Sequence, residues 1–126
     1  MRAYLIDPST RTISLVDTDG ELLSIYALLD CQLVTTAAGQ PNGDILFVDD
    51  DVSESEHDAF SFEGWTIYSK ALVLGTDEEG ESTTPQTLIH IFEDQISWLG
   101  KKVFDPNVAF LSWETSNLIW VGLFPN

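Results

Sequence analysis

The chain has 126 residues, one domain's worth, and 44% of them are apolar, with four Trp, seven Phe and three Tyr; a sizeable core can form, which excludes an acidic disordered tail. Against 21 acids stand 5 bases, a net charge of −16 that costs folding stability through self-repulsion and excludes DNA, RNA and anionic membrane as direct partners. Cys31 is the single cysteine, so no internal disulfide and no cysteine-based zinc cluster can form within the chain, in keeping with a reducing cytoplasm.

Residues 3–6 and 12–16 are short β-prone runs on either side of Asp7-Pro8-Ser9-Thr10, a turn signal, and read as a first hairpin. After Asp19-Gly20, Leu22, Leu23, Ile25, Tyr26, Leu28 and Leu29 recur at helical spacing, predicting a short amphipathic helix over 21–30. Residues 32–36 and 44–49 flank Pro41-Asn42-Gly43, whose preset and positive φ values suit a tight reversal, so a second hairpin follows. Residues 60–67 and 71–74 read as further strands divided by Tyr68-Ser69-Lys70, and 75–81 as a loop.

Thr84 before Pro85 has the form of a helix start. Leu88, Ile91, Phe92, Ile96 and Leu99 then fall on one helical stripe that ends at Gly100, with Lys101 and Lys102 near the negative end of the helix dipole. A closing hairpin over 108–113 and 118–124 completes the chain. The fold class expected is α+β, a mostly antiparallel sheet with two helices packed on one face, in a single domain spanning 1–126. The apolar run at 3–6 is too short for a signal-peptide core and no window reaches a membrane span, so a cytoplasmic protein is expected.

AYLIDP at 3–8, SIYALLDCQLV at 24–34, the PNGD turn with the following LFVDDD, and ALVLGTDEEGE at 71–81 resemble an uncharacterised family of small proteins carried by phages and other mobile elements, catalogued only as a domain of unknown function. The resemblance covers about the first eighty residues. It implies a setting, an accessory gene of a mobile element expressed in a bacterial cytoplasm, and no catalytic residue that carries over.

The stretch 47–63, FVDDDVSESEHDAFSFE, holds seven carboxylates and neither Lys nor Arg. In an extended chain Glu54, Glu56 and Asp58 share a face at about 6.6 Å intervals, and no base nearby in sequence neutralises them. Duplex DNA carries one charge per roughly 1.7 Å, so sixteen excess charges match about 27 Å of duplex, close to the domain's diameter. The function expected is therefore binding without catalysis: a counter-defence inhibitor that mimics nucleic acid and occupies a basic host protein or defence complex. Its contact residues are Asp49, Asp50, Asp51, Glu54, Glu56, Asp58 and Glu63, with Asp77, Glu78, Glu79 and Glu81 as a second patch.

Two other readings stay open. The acids at 49–51 and 77–81 supply oxygen ligands for a hard cation or small ligand, although neither has EF-hand spacing, and acid-rich, lysine-poor surfaces also suit high salt. Catalytic motifs are thin. His57 reads as a solvated side chain within the acidic run, His90 as a boundary residue on the second helix, and Cys31 as a small buried hydrophobe, so no catalytic, metal or cofactor residue is assigned. The nearly unbroken apolar run at 118–124 needs cover and suggests a homodimer through that strand.

Overall fold

A computed structural model describes residues 1–53 and 55–104. Glu54 and the expected hairpin over 108–124, with the homodimer edge placed on it, lie outside the described residues.

The first hairpin forms as its pattern requires: β1 (Arg2–Asp7) pairs antiparallel with β2 (Thr12–Asp17) in a register from Arg2↔Asp17 to Asp7↔Thr12. Helix α1 (Leu22–Leu29) follows and ends on Asp30, which takes the left-handed conformation at φ 54 and ψ 51 while the Cys31 amide donates back to the Tyr26 carbonyl. β3 (Val34–Ala37) and β4 (Ile45–Asp49) make the second hairpin. Gly43 sits at φ 96, and a Cβ there would lie 2.8 Å from the Thr76 carbonyl oxygen, so a side chain is excluded on two grounds.

β7 (Ala71–Thr76) is the centre of the molecule. It hydrogen-bonds β1 on one side and β4 on the other, giving a six-stranded antiparallel sheet in the order β2-β1-β7-β4-β3, with the short β8 (Ser82–Thr83) added to β7. Ala71, Leu72, Val73, Leu74 and Gly75 are all buried, as the continuous apolar run of a strand covered on both faces demands. Alternate side chains then supply two cores. Ala3, Leu72 and Leu74 meet Ile25 and Leu29 of α1, with Leu5, Val34 and Phe47 around them. Tyr4, Ile6, Leu46, Val48, Ala71 and Val73 point to the opposite face and meet a second sheet.

That second, three-stranded sheet departs from the sequence reading twice. The strand expected over 60–67 is two strands, β5 (Glu56–Phe62) and β6 (Trp65–Tyr68), because Glu63 at φ 50 and Gly64 at φ 81 form a two-residue reversal with both φ values positive. Glu-Gly lacks the usual Asn or Asp at the first position, which hides the turn.

The long helix expected from Pro85 to Leu99 is instead α2 (Ile89–Gln95) followed directly by β9 (Ile96–Val103), which pairs with β5. Leu88 and Ile91 of the supposed apolar stripe are 60% and 38% exposed, whereas Phe92 and Ile96 are buried and Trp98 packs against the same cluster. From Ile96 onward the chain pairs with β5 instead, with Ile96 buried, Ser97 exposed and Trp98 half-buried, and the hydrogen bonds available along β5 outweigh weak helical propensity.

The two helices do not share a face. Ile25 and Leu29 of α1 belong to one core, and Phe92 of α2 to the other, where its ring centroid lies 5.8 Å from Tyr4 and 5.5 Å from Phe62. The protein is thus a mixed, mostly antiparallel structure with a helix on one side of the main sheet and a small sheet plus helix on the other. No described helix is long and apolar enough to cross a membrane.

Candidate functional site

Strand register places the charged segments at two ends of the main sheet. Asp7, Asp49 and Lys70 sit at or just beyond the Ala71 end of β7, because Ile6 and Val48 both pair with Ala71. Asp17 and the acidic loop after Thr76 sit at the other end, because Asp17 pairs with Arg2 and Thr76 closes β7. The six residues of β7 separate the ends by about 20 Å at roughly 3.3 Å per residue.

The end rich in bases holds four of the five Lys and Arg residues. Lys101 of β9 stands opposite Asp58 of β5 and bonds it, Nζ to Oδ2 at 3.0 Å; Lys102 stands opposite His57. Lys70 precedes β7, and the guanidinium of Arg11, in the β1–β2 turn, reaches the position a Cβ would take on Gly100 at 3.9 Å. This overturns the expectation that no base meets the acidic run. Lys101 and Lys102 are strand residues facing it, not the end of a helix, since β9 replaces the helix that would have carried them away.

Around this end Asp49 accepts the Asp51 amide at 2.9 Å, while the Asp50 amide donates to the Leu33 carbonyl, also at 2.9 Å. Glu56 and Asp58 lie on one face of β5, two residues apart, as expected of an extended segment. The His57 ring is half-buried, with Nε2 at 3.0 Å from the Ser53 carbonyl oxygen, rather than simply solvated. Glu63 is remote from this group, in the β5–β6 turn, where its Oε2 accepts from Gln40 Nε2 at 3.1 Å.

The acidic end is more uniform. Asp77 organises its loop by accepting the amides of Glu79 and Glu81 on Oδ1, both at 2.9 Å, which leaves Glu78, Glu79 and Glu81 fully on the surface. Beside them lies the 17–21 segment: a Cβ on Gly20 would be 3.2 Å from the Ser82 Cβ, so the two loops touch. Asp17, Asp19 and Glu21 are all exposed. The Ser24 hydroxyl and the Glu21 amide hold the Asp19 carboxyl below the ordinary aspartate range, so it stays charged.

Seven carboxylates thereby gather at one end, with Arg2 as the only Lys or Arg among them. Sequence reasoning missed Asp17, Asp19 and Glu21 because they are separated by some sixty residues from the loop they join. Their exposure and Asp-x-Asp-x-Glu alternation were visible, but not their neighbour.

One carboxylate is fully buried. Asp44, just before β4, accepts the Gln86 amide on Oδ1 at 2.9 Å and the Thr87 amide on Oδ2 at 2.8 Å. The Tyr4 hydroxyl donates to the Thr87 carbonyl at 2.7 Å, and Asn42 Nδ2 to the Thr87 hydroxyl at 2.9 Å. These bonds stitch the segment after Pro85 to the sheet and account for its failure to begin a helix there.

Cys31 is half-buried against the α1-side core, not fully buried as expected, and desolvation, then the negative charge of Asp49, pushes its thiol up, away from a reactive thiolate. His90 is exposed on α2, whose Phe92 joins the core on the opposite face of the sheet, so the two residues do not converge. Among the described residues no three His, Cys, Asp or Glu side chains converge on a position suited to a metal ion. Comparison of the chain with protein-family models, with curated proteins and with solved structures finds no match.

Proposed function

We propose that the protein acts by binding, without catalysis, as an acidic competitor of nucleic acid at a basic host protein in the bacterial cytoplasm. The observation that carries this reading is the acidic end: seven exposed carboxylates on two touching loops, with four of the five Lys and Arg residues held about 20 Å away at the other end. Such a separation leaves charge available to an outside cation, because self-neutralisation would have required the bases to sit among the acids.

Seven charges correspond to about 12 Å of duplex, roughly a third of a helical turn. The surface therefore fits a local Lys/Arg patch rather than a whole DNA groove. Asp77, Glu78, Glu79 and Glu81, with Asp17, Asp19 and Glu21 beside them, are its main contacts. Asp49, Asp50, Asp51, Glu56 and Asp58 are secondary, since Asp58 already holds Lys101. The mobile-element setting implied by the resemblance makes a restriction or CRISPR complex the class of partner to screen first.

The test is retention of nucleic-acid-binding proteins from a bacterial lysate on the immobilised chain. Duplex DNA should displace them, and Asp19→Lys with Glu78→Lys and Glu79→Lys should lower retention at least tenfold. A matched triple at Asp49, Asp50 and Asp51 should do less. Retention indifferent to duplex, or unchanged in the first triple, would remove the proposal.

A further inference from the structure

The main sheet ends on β2, and this edge carries none of the devices that usually keep an exposed strand from pairing. The edge strands β3 and β6 are only four residues long, and β9 carries Lys101 and Lys102. By contrast β2 is six residues long, pairs with β1 in unbroken register, and holds neither Pro nor Lys. Ile13 packs toward the second sheet and Val16 toward α1, while Leu15 is 51% exposed.

The direction of its free hydrogen-bonding groups follows from the pair at its end. Met1 and Thr18 exchange both backbone bonds, each at 2.9 Å. Such pairs alternate along an antiparallel ladder, so Val16, Ser14 and Thr12 bond β1 through Ala3, Leu5 and Asp7. Asp17, Leu15 and Ile13 therefore turn their amides and carbonyls outward, where among the described residues no strand meets them.

We infer that β2 is the joining edge of a homodimer, paired antiparallel with the β2 of a second copy about a twofold axis at Ser14. Only self-pairings that set outward positions against outward positions complete the ladder, and side-chain pairing selects among them. Centred on Ser14, the join sets Ile13 against Leu15 and brings Arg11, just before the strand, to Asp17, each twice. Centred on Leu15 it would set Asp17 against Ile13, and centred on Ile13 it would bring Arg11 to Leu15. Arg11 makes no ion pair among the described residues, and Asp17 stands opposite Arg2 without bonding it. The charge polarity of the molecule acts in the same sense. An antiparallel join lays the acidic end of each copy beside the base-rich end of the other, so two chains of net charge −16 meet through complementary ends. The twofold arrangement is closed and uses up the edge. β7, which leads into the 77–81 loop, stays two strands, about 10 Å, from the join, and the dimer stands or falls independently of the partner proposed for the acidic end.

Sedimentation equilibrium of the full chain from about 0.01 to 1 mM, a range suited to so small an interface, in about 0.15 M NaCl tests it together with amide hydrogen exchange. The mass should rise from that of one chain to that of two and no further. Over the same range exchange should slow at Ile13, Leu15 and Asp17, while Thr12, Ser14 and Val16, already bonded to β1, should not change. Leu15→Pro removes one outward amide and no bond to β1, and should weaken dimerisation about tenfold or more. Arg11→Asp and Asp17→Arg should each weaken it about fivefold, and the double variant should restore it, because the two positions face each other across the join. A single-chain mass throughout, growth beyond two copies, or exchange at Ile13, Leu15 and Asp17 that is the same at every concentration would each overturn the inference. So would tighter association of Asp17→Arg alone, which would show that net charge and not pairing decides. Should Leu15→Pro fail to fold, the exchange pattern of the wild-type chain still decides.

Discussion

Asp44 carries more of the structure than any single acid on the surface. Its carboxylate is shielded from water and satisfies two backbone amides, so removing it leaves both partly buried donors without these acceptors. Asp44→Ala is expected to cost about 2–4 kcal/mol in urea unfolding, and Asp44→Asn, which keeps one acceptor, clearly less. Gly75 is tied to the same junction: a Cβ there would lie 2.7 Å from both Thr83 Oγ1 and the Thr84 carbonyl oxygen, leaving no room between β7 and the segment it holds. At the charged surface, burial pushes Asp7 up, but the Ser9 hydroxyl and amide, the Lys70 charge and the Thr10 amide together outweigh it and hold the carboxyl below its ordinary range.

The end of α1 is a place where a local rule is broken without visible compensation. Asp30 occupies a left-handed position that glycine takes more readily, and it adds negative charge at the negative end of a helix dipole with no basic residue in the last turn. Asp30→Gly is therefore expected to raise stability by about 0.5–1 kcal/mol, read as a higher midpoint in thermal unfolding. The β5–β9 ladder makes the opposite point. Lys101 is 60% exposed, so its bond to Asp58 contributes little energy, about 0.2–1 kcal/mol for a cross-strand pair of this kind. Its weight lies in register, since a slip by one residue would set Lys101 against Glu56-side neighbours and turn Phe60 and Phe62 out of the core.

At the scale of the whole molecule, charge is polarised rather than evenly spread. Crowded like charges at one end oppose compaction, so screening should help: the melting temperature is expected to rise as NaCl goes from about 0.02 to 0.5 M, where the Debye length shrinks from roughly 20 to 4 Å. An unchanged or falling midpoint would show that the acids do not repel in the folded state. Acidification is expected to destabilise the fold. Asp7 and Asp19, whose folded-state pKa lies below the unfolded value of about 3.9, contribute stability that is complete above that pH and lost as pH falls through their folded pKa. A midpoint that falls as pH drops below about 4 is the expected outcome of a melting series, with that loss softened in Asp7→Asn.

Local pattern was enough wherever neighbours in sequence are neighbours in space. Both N-terminal hairpins and α1 could be read from alternation, turn residues and helical spacing, since each is decided by contacts within about fifteen residues, and the strand 71–74 from its unbroken apolar run, which marks a covered strand whichever distant neighbours cover it. So could the surplus of acid and the place of Asp77 to Glu81 in a loop. What needed the tertiary structure was every feature set by a distant strand. Ile96 to Val103 fits a helix on its own apolar spacing and becomes β9 only because β5, some forty residues earlier, offers hydrogen bonds and a place for Ile96 and Trp98. That exchange brings Lys101 and Lys102 against the acidic run and neutralises part of it. Meanwhile Asp17, Asp19 and Glu21 join the 77–81 loop because β1 carries β2 to the same end of β7. The amount of charge was determined by the sequence alone; its polarity was decided by strand register, because Coulomb interactions depend on distances in space that only long-range pairing sets.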